Sequence, residues 1–340
     1  MSGAIIKEMQ ITFFETTESE KNILTKLLPD HELGFYSEKL TPETAKLAGE
    51  SEVVSVFINS PIKKEILDLL PNAKLIQTRS TGFDHLDIPA IKDGGKLAAN
   101  VPGYGAHTVA EFAFALMLNL SRKVFAARHN VLEGEMGTEG MEGFELFGKT
   151  LGVIGTGRIG KNVIKIANGF GMKVVAYDVF PDLNFAKEQS FEYAELEAVM
   201  RAADILTLHA PYNEKSHHLI NNKNIDWVKK GAYLINTARG ELVETDALIR
   251  ALERGDLAGA GLDVLENERQ LKDEDKLLRG GTEMTDYKTL YENHVLMDMP
   301  NVILTPHIAF DTKEGVGEIL ATTAETIKAF AAGAPINLLK

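Results

Sequence analysis

The chain contains no cysteine in 340 residues. Disulfides, thiolate catalysis and cysteine-ligated metals are therefore excluded. No apolar run reaches the roughly 18 residues expected of a membrane span, and the N-terminal segment lacks a signal-peptide core, so a cytoplasmic location without membrane attachment is expected. Positive charge is in deficit. Lysine and arginine total 36 against 49 acids, a net charge of −13, which disfavours a nucleic-acid surface or an anionic membrane as partner. A few local cations can overrule that field, so the charge of a small substrate stays open. No repeat of solenoid period and no low-complexity tract is present. The hydrophobic fraction of 44% and charged fraction of 25% are those of a globular protein, and the length suits two domains.

Short apolar segments at Met9–Phe14, Val53–Ile58, Leu75–Thr78 and Lys96–Asn100 read as strands. Helical patterns lie between them, as in Ile62–Leu70, where Ile62, Ile66, Leu69 and Leu70 form one stripe. This alternation predicts an α/β fold with parallel sheets covered by helices. A long apolar helix is expected over His107–Val131, with Ala110, Phe114, Met117, Leu118 and Ser121 on one face, suited to burial or to a dimer interface. Glu133–Gly148 reads as a loop. Further strands are expected at Asp204–His209, Ala232–Asn236, Ala258–Asp263 and Val302–Thr305. Asn267–Met299 interrupts this rhythm as a charged insertion, whose acids Asp273–Asp275 read as solvated. A helix follows over Thr312–Ala332. The expected organisation is a discontinuous substrate domain, 1–102 and 311–340, around an inserted nucleotide-binding domain, 103–310, with the active site in the cleft between them.

The most specific signal runs from Leu151 to Asp178. An apolar strand breaks at Gly155-Thr156-Gly157-Arg158-Ile159-Gly160, a helix follows, and a second strand, Lys173–Tyr177, ends in an acid. Gly155 permits the tight turn, Gly157 lets the backbone approach a pyrophosphate, and Gly160 lets the helix pack on the strand. The helix start offers N–H groups and a positive dipole end to phosphate. Asp178, 21 residues after Gly157, is placed to accept hydrogen bonds from a ribose and to repel a 2′-phosphate. NAD is therefore the expected cofactor.

Three later strand ends carry polar groups, and ligands of open α/β sheets bind at the carboxyl ends of strands. Asn236-Thr237-Ala238-Arg239-Gly240 offers a guanidinium suited to a two-pronged grip on a carboxylate. Asp263 and Glu268 follow the next strand, and Pro306-His307 stops the last one. A histidine there suits acid–base chemistry near neutrality, with Glu268 to orient its ring. His217 and His218 are adjacent, but no metal site is expected.

These residues, in this order, resemble the NAD-dependent D-2-hydroxyacid dehydrogenases. The resemblance extends to Arg79-Ser80-Thr81-Gly82, Val101-Pro102-Gly103-Tyr104 and Thr108-Val109-Ala110-Glu111, and its wording is most similar to the D-lactate dehydrogenase branch. It implies two Rossmann-like or flavodoxin-like domains. It assigns Arg239 to the substrate carboxylate and carbonyl oxygen, His307 to the proton and Glu268, rather than Glu266, to His307. Thr81 and Gly82 are implied to bind the carboxylate, and Tyr104 and Phe310 to contact the substrate. Arg158 and Ile159 fall at the pyrophosphate and Asp178 at the ribose. His209, Ala210, Pro211 and Ser216 form a cofactor wall, and Thr237, Ala238 and Asp263 lie nearer the nicotinamide. The implied partners are a small 2-keto or 2-hydroxy acid and a second copy of the chain, joined through the nucleotide domains. The implied reaction is reduction of pyruvate to D-lactate. Hydroxypyruvate, glyoxylate and branched or aromatic keto acids are alternatives, as is an NAD-sensing corepressor with the same three residue types.

Overall fold

The computed structural model describes residues 8–268, 271 and 287–340. The chain divides into two units, Met1–Gly105 with Thr312–Lys340, and Ala106–Asp311. In the first, strands β1 (Gln10–Phe13), β2 (Glu32–Phe35), β3 (Val53–Val56), β4 (Leu75–Thr78) and β5 (Leu97–Ala99) form a parallel sheet in the order β2-β1-β3-β4-β5. This is a doubly wound order. Central β3 and β4 are buried at every position, which explains why they show no alternation of apolar and polar residues: a strand covered on both faces has no solvent face, and their few polar side chains, Ser55, Gln77 and Thr78, are buried with the rest. Edge strand β2 buries none of its residues fully and gives no comparable sequence signal.

Two expectations for this unit need adjustment. The helix expected over Ile62–Leu70 spans Lys64–Asp68. Its buried stripe is Ile62, Ile66, Leu67 and Leu70, while Leu69 is 49% exposed. The helix Lys313–Ala331 belongs to this unit and is capped by Thr312, whose hydroxyl accepts from the Gly315 N–H at 3.0 Å. It buries Leu320, Ala324 and Ile327 in the cluster that contains Ile11, Phe13 and Leu24.

The second unit holds strands β6 (Thr150–Ile154), β7 (Lys173–Tyr177), β8 (Glu192–Tyr193), β9 (Ile205–Leu208), β10 (Ala232–Asn236), β11 (Leu257–Leu262) and β12 (Val302–Leu304). They are parallel throughout, in the order β12-β11-β10-β9-β6-β7-β8. From β6 the chain first moves outward through β7 to β8, then crosses back to β9 and proceeds the other way. That reversal between β6 and β9 opens a crevice at the carboxyl edge.

The long helix expected over His107–Val131 is two helices, Ala106–Arg122 and Val124–Leu132. Lys123 breaks it with a left-handed backbone, φ 50°, and the Asn119 side-chain carbonyl accepts from the Phe125 N–H at 2.9 Å, satisfying a donor of the new helix start. No glycine or proline marks this break. The first helix buries Ala110, Phe114, Met117 and Ser121, whereas the second buries no residue. Of the 267–299 insertion, the helix Tyr287–Asp298 is described, and the run Asp273–Asp275 lies outside the described residues. Among the described residues no helix is long and apolar enough to cross a membrane.

Candidate active site

The three glycines of the β6 turn are explained by three different neighbourhoods. Gly155 has φ +92°, and a Cβ there would stand 2.5 Å from the Ala210 nitrogen at the end of β9. A Cβ on Gly160 would meet the Gly155 carbonyl oxygen at 2.1 Å, so helix Arg158–Gly169 rests directly on the turn. Gly157, the residue before that helix, faces open space with nothing within 4 Å of its would-be Cβ. Two glycines are therefore required by the fold and the third keeps a space clear at a helix start, where N–H groups favour an anion. Arg158 is exposed there, and Ile159 is half-buried behind it.

At the end of β7, Asp178 is fixed by the turn it faces. Its Oδ2 accepts from the Thr156 N–H at 2.6 Å and the Thr156 hydroxyl at 2.9 Å, and its Oδ1 accepts from the Phe180 N–H at 2.9 Å. The Thr156 hydroxyl also meets the Tyr193 hydroxyl at 2.8 Å, which accepts from the Asp182 N–H at 3.2 Å. Thr156 thus acts on the acid, a role that spacing alone does not reveal.

On the other side of β6 lie β9 and then β10, whose last paired residues are Leu208 and Asn236. His209 follows the first and Thr237 the second, so the two are side by side at the carboxyl edge. Both are buried, and neither the His209 Nδ1 nor the Thr237 hydroxyl has a partner among the described residues. His209 Nε2 pairs with the Thr207 hydroxyl at 2.9 Å, and burial lowers the His209 pKa to about 3, so the ring is neutral in ordinary buffers. Its backbone N–H donates to the Ile154 carbonyl, tying β9 to β6. Ala210 and Pro211 continue from it, half-buried and exposed respectively. Ser216 is turned inward on its own loop: its hydroxyl donates to the Pro211 carbonyl at 2.8 Å and accepts from the Asn213 N–H at 2.8 Å.

The next strand ends carry Arg239, Glu268 and His307. Asn236, the last residue of β10, bridges the turn beyond it: its side chain accepts from the Ala238 N–H at 3.0 Å and donates to the Arg239 carbonyl at 2.8 Å. A Cβ on Gly240 would overlap the Leu265–Glu266 backbone, so the arginine loop is pressed against the loop that leads to Glu268. Half-buried Arg239 sends one N–H to the Ala238 carbonyl at 2.7 Å. His307 Nδ1 meets Glu268 Oε1 at 2.7 Å, with both side chains mostly buried. That bond puts the proton of the neutral ring on Nδ1 and leaves Nε2 as the exchanging nitrogen. Phe310 stands edge-on to His307, centroids 6.5 Å apart.

His307 itself has φ +58°, a conformation uncommon for a residue with a side chain. Asp263 holds it there. That carboxylate accepts from the Thr305 hydroxyl at 2.6 Å, the Ile308 N–H at 3.0 Å and the Ala309 N–H at 2.8 Å. Burial raises the Asp263 pKa, and these bonds together with nearby His307 pull it back. Three of its hydrogen bonds thus grip the histidine loop. Glu266 is committed elsewhere: one oxygen meets His218 Nε2 at 2.6 Å and the other accepts from the Thr245 hydroxyl at 2.7 Å, at the start of helix Thr245–Glu253. Of the two acids, only Glu268 reaches His307.

Read along the edge in spatial order, β12, β11, β10, β9, β6 and β7 end in His307, Asp263, Thr237 with Arg239, His209, the glycine turn and Asp178. In the first unit, the Thr81 hydroxyl donates to the Val101 carbonyl at 2.9 Å and accepts from the Gly103 N–H at 3.2 Å, joining the loop of Thr81 and Gly82 to that of Tyr104. Among the described residues no group of three or more histidines and acids is arranged to hold a metal.

The chain is similar to known proteins over most of its length. Residues 114–309 match the model of the D-isomer specific 2-hydroxyacid dehydrogenase NAD-binding domain. The 2-hydroxyacid dehydrogenase A of Aspergillus oryzae is 38% identical over 95% of this chain and 92% of its own. An aromatic 2-oxoacid reductase of Clostridium sporogenes is 36% identical over 92% of each chain. The structure of D-lactate dehydrogenase from Aquifex aeolicus, complexed with NAD and lactic acid, superposes with a TM-score of 0.84 at 36% identity, covering 95% of this chain and 96% of the other.

Proposed function

We propose, on the premise that the chain belongs to the D-isomer specific 2-hydroxyacid dehydrogenases, that it reduces pyruvate to D-lactate with NADH in the cytoplasm. The chain is an NAD-dependent oxidoreductase of that family. Its residues fit the cofactor: the clear space at Gly157, the buried unpartnered atoms of His209 and Thr237, and the acid at the end of β7 lie in one line along the edge. When bound, NADH supplies the hydride that reduces the carbonyl carbon. Protonated His307 gives its Nε2 proton to the developing alkoxide, and Glu268 on Nδ1 holds the ring and balances its charge. Arg239 grips the carboxylate and stabilises charge at the carbonyl oxygen. Thr81, Gly82 and Tyr104 remain assigned to the substrate by the family likeness.

The observation that carries this reading is the His307–Glu268 pair. The choice of pyruvate rests on the wording of the Glu268 and His307 motifs and on Phe310 beside His307. Relatives of similar identity carry names for lactate and for aromatic oxoacids. A panel of 2-keto acids with NADH therefore tests the choice. Pyruvate losing to another acid by more than about tenfold in kcat/KM, ~1.4 kcal/mol, overturns it and leaves the reaction class standing.

A homodimer through the second unit belongs to the same proposal. Helix Val124–Leu132 leaves Val124, Phe125, Val131 and Leu132 each more than half exposed, an apolar cluster of the kind that marks an interface. Light scattering of the purified chain, reading one or two copies, tests it.

A further inference from the structure

We infer that Tyr193 is a positioning residue for cofactor choice, acting through Thr156 to lock the Asp178 carboxylate in the place that accepts NADH and rejects NADPH. The inference rests on the reading that Asp178 meets the adenosine ribose, and it adds residues that neither the glycine motif nor the acid names.

Proton accounting gives the chain a direction. A carboxylate accepts only, so the single hydroxyl proton of Thr156 goes to Asp178 Oδ2. Tyr193 must then be the donor in its 2.8 Å bond to Thr156. With its own proton spent, the Tyr193 oxygen is left as acceptor for the Asp182 N–H at 3.2 Å. Every donor of the series Asp182, Tyr193, Thr156 therefore points toward Asp178, and aligned hydrogen bonds of this kind polarise one another.

The two carboxylate oxygens are used unequally. Oδ2 takes two donors from Thr156, while Oδ1 takes one, from Phe180, so acceptor capacity remains on Oδ1 for a ribose hydroxyl. A 2′-phosphate offers no such donor and adds up to two negative charges. It would meet an acid that cannot swing away. The nearby ammonium of Lys161 is engaged with Asp182, and Asp182 is itself the next link of the chain. The Tyr193 ring is held independently, edge-on to Phe191 with centroids 5.1 Å apart, so the hydroxyl can be removed without removing the ring's packing.

Without that hydroxyl, Thr156 loses its donor, its rotor is freed and Asp178 gains room to move. Tyr193→Phe should weaken NADH binding about fivefold, the worth of one ordinary hydrogen bond, and leave NADPH nearly unchanged. The preference for NADH then narrows by the same factor, and the kinetic loss falls in KM for NADH rather than in kcat. The measurement is equilibrium titration of the full chain with NADH and NADPH by fluorescence, with a melting curve for each variant. Thr156→Ala should narrow the preference as Tyr193→Phe does, Thr156→Ser should keep it, and the double variant Thr156→Ala/Tyr193→Phe should narrow it no further than Thr156→Ala alone. An unchanged preference in Tyr193→Phe overturns the inference. So does an equal weakening of both cofactors together with a lowered melting temperature, which is what a scaffold residue would give. Asp178→Ala separates the two levels. If it narrows the preference while Tyr193→Phe does not, only the role of the chain falls; if it changes nothing, the ribose reading falls as well.

Discussion

Exchanging Gly157 and Gly160 for alanine, one at a time, should separate cofactor binding from folding within a single turn. At Gly160 the added methyl carbon would stand 2.1 Å from the Gly155 carbonyl oxygen and 3.0 Å from its carbon. Both are backbone atoms, so helix Arg158–Gly169 must lift from the turn. Such overpacking costs about 1–3 kcal/mol or more, while alanine regains at most ~1 kcal/mol of helix propensity. A net loss near 2 kcal/mol corresponds to a fall of roughly 4–8 °C in a unit of this size.

At Gly157 the backbone has φ −66° and ψ −160°, which alanine adopts freely, and nothing lies within 4 Å. Losing glycine before a helix start costs some tenths of a kcal/mol to ~1 kcal/mol, and the stiffer unfolded chain returns about 0.4–1 kcal/mol. The melting temperature should hardly move. The methyl would occupy the space assigned to the pyrophosphate, so the ~1–3 kcal/mol of overpacking appears in the complex, as an NADH Kd weaker by about 5- to 150-fold. Melting curves without cofactor and fluorescence titration with NADH read the two effects separately. A Gly157→Ala chain that binds NADH normally refutes the pyrophosphate assignment. One that melts as low as Gly160→Ala refutes the open space.

Two further outcomes follow from the acids and from the buried imidazole. Glu268→Gln should lower kcat for keto-acid reduction by about tenfold or more at little cost in melting temperature, whereas Glu266→Gln, which loosens His218 and Thr245, should lower the melting temperature and spare kcat; the reverse pattern would undo the distinction drawn between them. His209, with its pKa lowered from 6.5 to about 3 by burial, stays neutral in the folded chain while the unfolded chain takes up a proton below 6.5. Stability therefore falls as pH drops from about 6.5 toward 3, by up to ~1.4 kcal/mol per pH unit from this group, and His209→Leu should flatten that slope in urea titrations across the same range.

Much of the second unit was legible because its central strands β6, β9, β10 and β11 are buried on both faces and its strands end in punctuation. Apolar runs over β6, β7, β9 and β10 stand between glycines, acids and asparagines, and the chemistry follows the punctuation. Edge strands β2 and β8 carried no such signal: they are four and two residues long and mostly half-covered. The break at Lys123 was hidden because an ordinary lysine takes the left-handed backbone there. The pairing of Glu268 with His307 was expected from the resemblance. That of Glu266 with His218 joins residues 48 apart, and no local pattern announces it. Tyr193 was silent for a similar reason, since an aromatic in a short strand reads as packing until its hydroxyl is placed.

The left-handed backbone of His307 sets stability against the proton-carrying role proposed for that residue. Glycine would adopt φ +58° at no steric cost, and asparagine at less cost than most. Either should make the loop gripped by Asp263 easier to form while removing the imidazole. A screen for heat tolerance alone would therefore drift away from histidine at this position, and a screen for turnover would restore it.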